Sequence, residues 1–461
     1  MKRSIEGFKR LLLIVLFLIM TVLIFTTVVL NISSKGTDME LSYFDRLLIL
    51  HGYDSQTAEL TGTMLLPEFA GYDIGYGGMG TVSDGLEAMY NASSECIAAI
   101  FGEASVCREA SIAEWLAALG SNVHVYIRYR SPMPSSVIAA YLSDGGQYGG
   151  AEFELIVLEL CILGDGSAVA KTGDGLFFSI TPGKSVPPVF SYFQAVNGLY
   201  PYTFGGGTGT IELSDSTPFF TQPPKDVGAH IVRGVPDEYE LTEGMLRMFG
   251  YNTENLSRYT DSDGVTAVYV DDFGNLRLSP DSAIFEGSED LDGGLAISRL
   301  LGYSKDRYSV IDLLKAADSF VKGLGEVSTC FTGGDAVPYL QGLRREGETV
   351  IVEYGLQLSG ITVFSPELKP YTVVKLEFDS GCIRHAELYP AIIEKTGMSF
   401  AGFGVEWVLW NIERTCGISA AKGGIMRPAF VMNDSPAGAG QNIISEWTVA
   451  FSDRDLIYEL E

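Results

Sequence analysis

A chain of 461 residues that is 46% hydrophobic and 11% aromatic has ample material for packed cores, which excludes disorder as the reading of its bulk. The formal net charge is −27; residues 1–10 hold four basic groups and Glu6, leaving −30 on everything after them. An acidic surface of that size disfavours nucleic acid and anionic headgroups as partners and suits a well-hydrated, water-facing portion.

Residues 11–30, LLLIVLFLIMTVLIFTTVVL, carry no charge. At 1.5 Å rise per residue such a run makes a helix of about 30 Å, the thickness of a bilayer's hydrocarbon core. A cleaved secretory signal is the competing reading, but its apolar region spans about 7–15 residues and ends in a small-residue cleavage site. This run is longer, and its exit NISSKGTD has no A-x-A pattern. An uncleaved transmembrane helix at 11–30 is the expectation. Lys2, Arg3, Lys9 and Arg10 precede it and only Lys35 follows closely, so residues 1–10 form a cytoplasmic tail and the rest lies outside a cell membrane crossed once.

GYGGMG at residues 75–80 fits the glycine fingerprint G-x-G-x-x-G. A dinucleotide site needs a buried strand before those glycines and a parallel βαβ unit around them. The preceding LPEFAGYDI, with Pro67, Gly71 and Asp73, reads as a poor strand. The glycines are expected to form a flexible approach to the helix SDGLEAMYNASSECIAAIFG, capped by Ser83 or Asp84 and stopped by Gly102. Ser111-Ile112-Ala113-Glu114 is a capping-box pattern opening a short helix through Leu119. VHVYIRY follows as a strand with Val123, Val125, Ile127 and Tyr129 on one face; SPMPSSVIAAYL adds an extended entry and a further helix. FELIVLELCIL, SAVAKT and LFFSIT, separated by Gly-Asp-Gly turns, predict a β-meander.

A Gly, Ser, Thr and Pro-rich stretch from Phe204 to about Pro236 marks the best domain boundary. The expected division is a first α+β domain at 36–235, a middle domain at 236–304 and a C-terminal α+β domain at 305–461. LTEGMLRMFGYN predicts a helix, and VTAVYV with NLRLSP a hairpin around DDFG. YSVIDLLKAADSFVKGLGE gives the clearest helix, with Val310, Leu313, Leu314, Ala317, Phe320, Val321 and Leu324 on one face and a Ser309/Asp312 cap. TVIVEYGLQL, GITVF, TVVKLEF and CIRHAELYP read as strands, with Val374, Leu376 and Phe378 alternating inward. A helix near VEWVLWNIERT and strands near IMRPAFVM and EWTVAF close the chain. Helices followed by runs of adjacent strands argue α+β with antiparallel sheets.

No catalytic, cofactor-binding or metal-ligating set rises above background. G-x-S-x-G and H-E-x-x-H are absent, and His51, His124, His230 and His385 are isolated in sequence. DSDG at 261–264 begins like a calcium loop, but its glycine stands at position 4 where an EF-hand needs it at 6, so a hairpin turn is the better reading. Acidic pairs such as Asp271-Asp272 and Glu289-Asp290 cannot be placed across a cleft by sequence. The cysteines Cys96, Cys107, Cys161, Cys330, Cys382 and Cys416 include no C-x-x-C; disulfides and buried free thiols both stay open.

The layout, the segment EWLAALGSNVHVYIRYRSPMPSSVIAAYL, and the run VIVEYGLQLSGITVFSPELKPYTVVKLEFDSGCIRHAELYP, with Gly360, Gly381 and Ile383 at patterned positions, resemble the YycH/YycI-type membrane-anchored regulators of the Wal (Yyc) sensor histidine kinase in Gram-positive bacteria. Where that family's closing strand carries Pro with Trp close behind, this chain has Pro428, Ala429 and Phe430. The resemblance implies a non-enzymatic cell-envelope regulator without cofactor. Its anchor would pack against the transmembrane helices of a sensor histidine kinase, and its outer part would meet a paralogous anchored regulator or an envelope signal. Thr21, Thr26 and Thr27, the polar side chains of the span, are the candidate contacts there; back-bonding to their own helix is the alternative. An anchored envelope-binding or assembly module without a kinase partner is the second reading, and a secreted hydrolase the third.

Overall fold

The computed structural model describes residues 60, 62–82, 85–143, 150–185, 196–205, 207–208, 211–220, 225–233, 238–251, 256–288, 293–367, 369–401, 408–410, 413–414, 421–432, 440–451 and 454–458. The expected span at 11–30, with Thr21, Thr26 and Thr27, lies outside them, as do His51, Glu289, Asp290 and Cys416. Among the described residues no helix is long and apolar enough to cross a membrane.

The first sheet takes β1 (Phe69–Ile74), β2 (Gly78–Thr81), β3 (Val106–Ala110), β4 (Val123–Pro134), β5 (Ile156–Leu163), β6 (Ala168–Thr172), β7 (Phe177–Thr181) and β8 (Tyr200–Phe204). After the short strands β9 (Gly207–Thr208) and β10 (Ile211–Leu213) comes β11 (Pro218–Phe220), and the nine-stranded order is β11-β8-β2-β1-β4-β5-β6-β7-β3. All of its pairings are antiparallel, and β5, β6 and β7 form the expected meander. Helix α1 (Leu86–Ile100) starts after Gly85, which takes φ +93° at the cap position with no side-chain cap; Ser83 and Asp84, from which the cap was expected, lie outside the described residues. Helix α2 (Ile112–Leu119) carries the expected capping box: Ser111 Oγ accepts from the Glu114 amide, and the Glu114 carboxylate accepts from the Ser111 amide. Helix α3 (Ser135–Leu142) follows directly on β4.

The expectation that one face of VHVYIRY is buried understates β4. Val125, Ile127 and Tyr129 enter the main core, while His124, Tyr126 and Arg128 are buried on the opposite face as well. The reason is topological: β4 lies between β1 and β5, and Tyr126 meets Trp115 of α2 and the rings of Phe69 and Phe204. A central strand covered on both sides loses the polar alternation that a half-exposed strand keeps.

The chain passes to its second set of strands within 204–236. These are β12 (Lys225–Arg233), β13 (Ser257–Thr260), β14 (Ala267–Asp271), β15 (Gly274–Leu278), β16 (Ala283–Gly287), β17 (Leu295–Ala296), β18 (Val337–Glu346), β19 (Thr349–Leu358), β20 (Ile361–Phe364), β21 (Thr372–Asp379), β22 (Cys382–Leu388), β23 (Ala391–Ala401), β24 (Ala421–Val431), β25 (Gly440–Phe451) and β26 (Arg454–Tyr458). Antiparallel ladders run β13-β14-β15-β16-β22-β21-β19-β18. The β19–β20 turn leads to β24, which β20 and β10 meet in parallel, and β24 continues through β25 to β12 and β23. Helices α4 (Glu238–Phe249), α5 (Ile297–Leu301) and α6 (Val310–Val327) pack on this system. The α6 face is as expected except at its first residue: Val310 is exposed, while Leu313, Leu314, Ala317, Phe320, Val321 and Leu324 are buried, and Ser309 with Asp312 closes its capping box. The architecture is therefore α+β with antiparallel sheets, and Thr57–Glu461 make one compact unit whose main core draws residues from Met64 to Met432.

Candidate functional site

GYGGMG does not approach a helix as a flexible loop. FAGYDI is a real strand, its first four residues buried, and Gly75 to Gly77 turn the chain back into β2 as an antiparallel hairpin. Asp73, which made the segment look like a poor strand, caps that turn: its Oδ1 accepts from the amides of Gly75 at 2.7 Å and Gly77 at 3.3 Å. Gly71, the other misleading residue, gives room to neighbouring rings, since a Cβ there would lie 2.6 Å from Tyr202. The fingerprint's strand-turn-helix geometry is replaced by strand-turn-strand, which points no helix N-terminus at a phosphate.

DSDG likewise forms a hairpin turn, between β13 and β14. The Asp263 carboxylate accepts from the amides of Val265 and Thr266, both at 2.9 Å, and from the Thr266 hydroxyl at 2.5 Å. These bonds hold its pKa below the usual carboxylate range, the Thr266 side chain contributing most. Asp271 and Asp272 sit at the β14–β15 turn, the amide of Asp272 donating to Asp271 Oδ1 at 2.7 Å. The described histidines stay apart. Buried His124 bonds the Ser121 carbonyl at 2.7 Å through Nδ1 and faces the Tyr202 hydroxyl at 3.4 Å, with burial lowering its pKa. His230 lies in β12 and His385 in β22. Cys96, Cys107, Cys161 and Cys330 are free thiols whose pKa burial raises, that of Cys96 up to about 12, so these groups are poor nucleophiles.

Among the described residues, a dense ionisable group lies on the β21–β22 hairpin. The ladder sets Lys375 opposite Glu387 and Glu377 opposite His385, so all four side chains share one sheet face. Lys375 Nζ stands 2.8 Å from Glu377 and 2.6 Å from Glu387, His385 Nε2 lies 3.0 Å from the same Glu387 oxygen, and the Tyr389 hydroxyl donates to the other at 2.8 Å. Burial raises the Glu387 pKa, but hydrogen bonds from Lys375, Tyr389 and His385 outweigh it and hold the carboxyl at about 2.

Glu377, His385 and Glu387 place one ligand atom each within 4.8 Å of one another, the reach of a metal ion. The Lys375 ammonium, however, already joins both carboxylates, and a divalent ion would have to displace it. The arrangement is a cross-strand ionic lattice that fixes register. Sequence reading missed it, although the signal was present: the alternation that sends Val374, Leu376 and Phe378 inward sends Lys375 and Glu377 to the opposite face.

Two further polar clusters lie inside the molecule. Glu159, buried in β5, receives Lys171 Nζ at 2.9 Å and the Tyr126 hydroxyl at 3.1 Å. Asp318 of α6, 1% exposed, accepts from the Tyr141 hydroxyl of α3 at 3.0 Å and the Tyr354 hydroxyl of β19 at 2.5 Å. Each ties separate elements together, satisfying a buried carboxylate as it does so. No family model, no curated protein and no solved structure matches the chain.

Proposed function

We propose that the protein is a membrane-anchored extracytoplasmic regulator, held by a helix at 11–30 and acting on a cell-envelope sensor histidine kinase by contact and without catalysis. The observation that carries the reading is the uncharged run at 11–30 with four basic residues before it and a −30 portion after it. Two things support it. The described portion is α+β with antiparallel sheets, the build expected from the order of helices and strands in the outer portion. The described carboxylate clusters serve as struts and turn caps, roles that suit a rigid body presented to partners.

Thr21, Thr26 and Thr27 are the side chains we assign to helix contacts in the bilayer, where close packing and hydrogen bonds drive association. Co-purification from membranes tests the reading. The kinase is expected with the native chain and lost when residues 1–35 are replaced by an unrelated anchor. Equal recovery with the foreign anchor would discard the transmembrane contact, and no recovery with the native chain would leave the envelope-binding module as the better reading.

A further inference from the structure

His124, 3% exposed, is a buried titratable side chain beside the GYGGMG hairpin. The β1–β4 ladder sets it directly opposite Asp73, and opposed residues of an antiparallel pair share a sheet face with Cβ atoms about 4.5–5.5 Å apart. Tyr202 of β8 comes to the same point from across β2. Its ring lies over Gly71 and Gly78, where a Cβ would stand 2.6 Å and 2.8 Å from Tyr202 Cε1, and its hydroxyl reaches His124 Nε2 at 3.4 Å. Gly78, the fourth residue of GYGGMG, leaves the room in which a tyrosine crosses to a histidine.

The acceptors fix where the hydrogens sit. His124 Nδ1 lies 2.7 Å from the Ser121 carbonyl, which can only accept, so Nδ1 carries the hydrogen and Nε2 of the neutral ring accepts from Tyr202. A second proton enters at Nε2. The bond then reverses, Nε2 donating to the Tyr202 oxygen, and the Tyr202 hydroxyl hydrogen needs a new acceptor. Among the described residues, β5 sets Leu163 opposite His124 and Cys161 next along that face, and β8 adds the Phe204 ring. On β4 itself, Tyr126 is bonded to Glu159 and the Ser216 carbonyl, and Arg128 turns to Glu68. Burial lowers the His124 pKa, against the Ser121 bond and the Asp73 charge; burial raises that of Tyr202, with Cys161 and Asp73 adding to it. The Asp73 carboxylate thus acts on both rings. It is already in use, since its Oδ1 accepts from the Gly75 and Gly77 amides and so holds the turn on which Tyr76 stands 94% exposed.

We propose that His124, Tyr202 and Asp73 form a pH-sensitive switch on the β1–β2 hairpin. When His124 takes a proton from solvent at Nε2, the Tyr202 hydroxyl turns to the Asp73 carboxylate, which leaves the amides of Gly75 and Gly77, and the Tyr76 turn opens. The direction follows from linkage. Burial holds the imidazole below its ordinary pKa of 6.5 in the closed hairpin, so an opened hairpin binds the proton more readily and acidification favours opening. The inference is independent of the kinase reading, since it concerns the described portion alone.

The test uses the full-length protein in nanodiscs. Exchange of the imidazole C2 hydrogen, followed by mass spectrometry, gives the His124 titration midpoint. Amide exchange of residues 74–78, corrected for the pH dependence of the intrinsic rate, gives the state of the turn. Protection of the turn amides is expected to fall about tenfold between pH 7.5 and pH 5, the worth of about one hydrogen bond, with the same midpoint as His124. The fall should vanish in His124→Asn, which keeps a donor for the Ser121 carbonyl. It should shrink in Tyr202→Phe, where the imidazole still titrates and the ring still lies over Gly78. Flat turn protection across the His124 midpoint, or an undiminished fall in either variant, would overturn the switch. Should His124→Asn fail to fold, the Tyr202→Phe comparison decides alone.

Discussion

Glu387 and Asp312 are single carboxylates on which local structure depends, and their acidities give the protein a defined acid limit. Burial raises the Asp312 pKa, but bonds from Lys305, Ser309 and Tyr303 overcome it and hold the carboxyl at about 2, as the lattice does for Glu387. Both folded values lie below the ordinary 3.8 and 4.5. A depressed carboxyl contributes stability that is fully present above its unfolded pKa and is lost as pH falls through the folded one. The loss should therefore run from about pH 4.5 down to about pH 2, the carboxylates binding protons on unfolding. With Glu387 largely but not fully shielded, its share is on the order of 1–2 kcal/mol after screening. Urea unfolding at pH 6 and pH 3 checks this: Glu387→Gln should be less stable than the parent at pH 6 and lose less on acidification. Equal losses in the two proteins would show that Glu387 has no part in the acid limit.

At the scale of elements, GYGGMG shows what a sequence pattern leaves out. Gly75 and Gly77 take φ of +92° and +101°, conformations that side chains avoid, so they serve the turn. Gly80 serves packing: a Cβ there would stand 2.5 Å from Phe69 Cζ and 3.1 Å from the Ala70 carbonyl. The Phe69 ring is pinned by Tyr126, Tyr202 and Phe220, so it cannot give way. Gly77→Ala, with nothing within 4 Å of its Cβ, should cost about 1–2 kcal/mol of backbone strain. Gly80→Ala should cost about 2–3 kcal/mol and disturb the near-ultraviolet circular dichroism of the aromatic cluster, which Gly77→Ala should leave intact. The reverse ranking in thermal and urea unfolding would show that the two glycines have been given the wrong roles. Helices α2 and α6 were legible because their signals are local: a capping box and a 3.6-residue stripe lie within a few turns of chain. β1 was not, because the reasons for Gly71 and Asp73 are a ring contributed by Tyr202 and a turn that only pairing with β2 creates. The bond from Arg130 to the Gly360 carbonyl was equally out of reach, since the two residues are 230 apart in sequence.

For the whole molecule, the question is whether the two sheets unfold together. Sequence composition placed a boundary between Phe204 and Pro236, and the chain does change sheets there, β8 and β11 pairing in the first and β12 in the second. Yet one apolar core draws on α1 and α3 from the first part and on α4, α5 and α6 from the second. Asp318 joins them at a polar point inside that core, gathering Tyr141 from α3 and Tyr354 from β19 on a single oxygen. Hydroxyls donated to a buried carboxylate are worth about 1.5–3 kcal/mol each, and removing one leaves the acceptor undersatisfied in a medium where that is costly. Tyr141→Phe should accordingly lower stability by that amount while preserving the fold, because the ring keeps its place. Hydrogen exchange then distinguishes cooperation from adjacency. In the parent protein, amides of β4 to β6 and of β19 to β22 should open with the same free energy, as parts of one cooperative unit. In Asp318→Ala the buried tie is gone and two hydroxyls lose their acceptor, so the two groups of amides should separate into different protection levels. If they already differ in the parent, the shared core does not couple the sheets, and the composition boundary at 204–236 is also a boundary in stability.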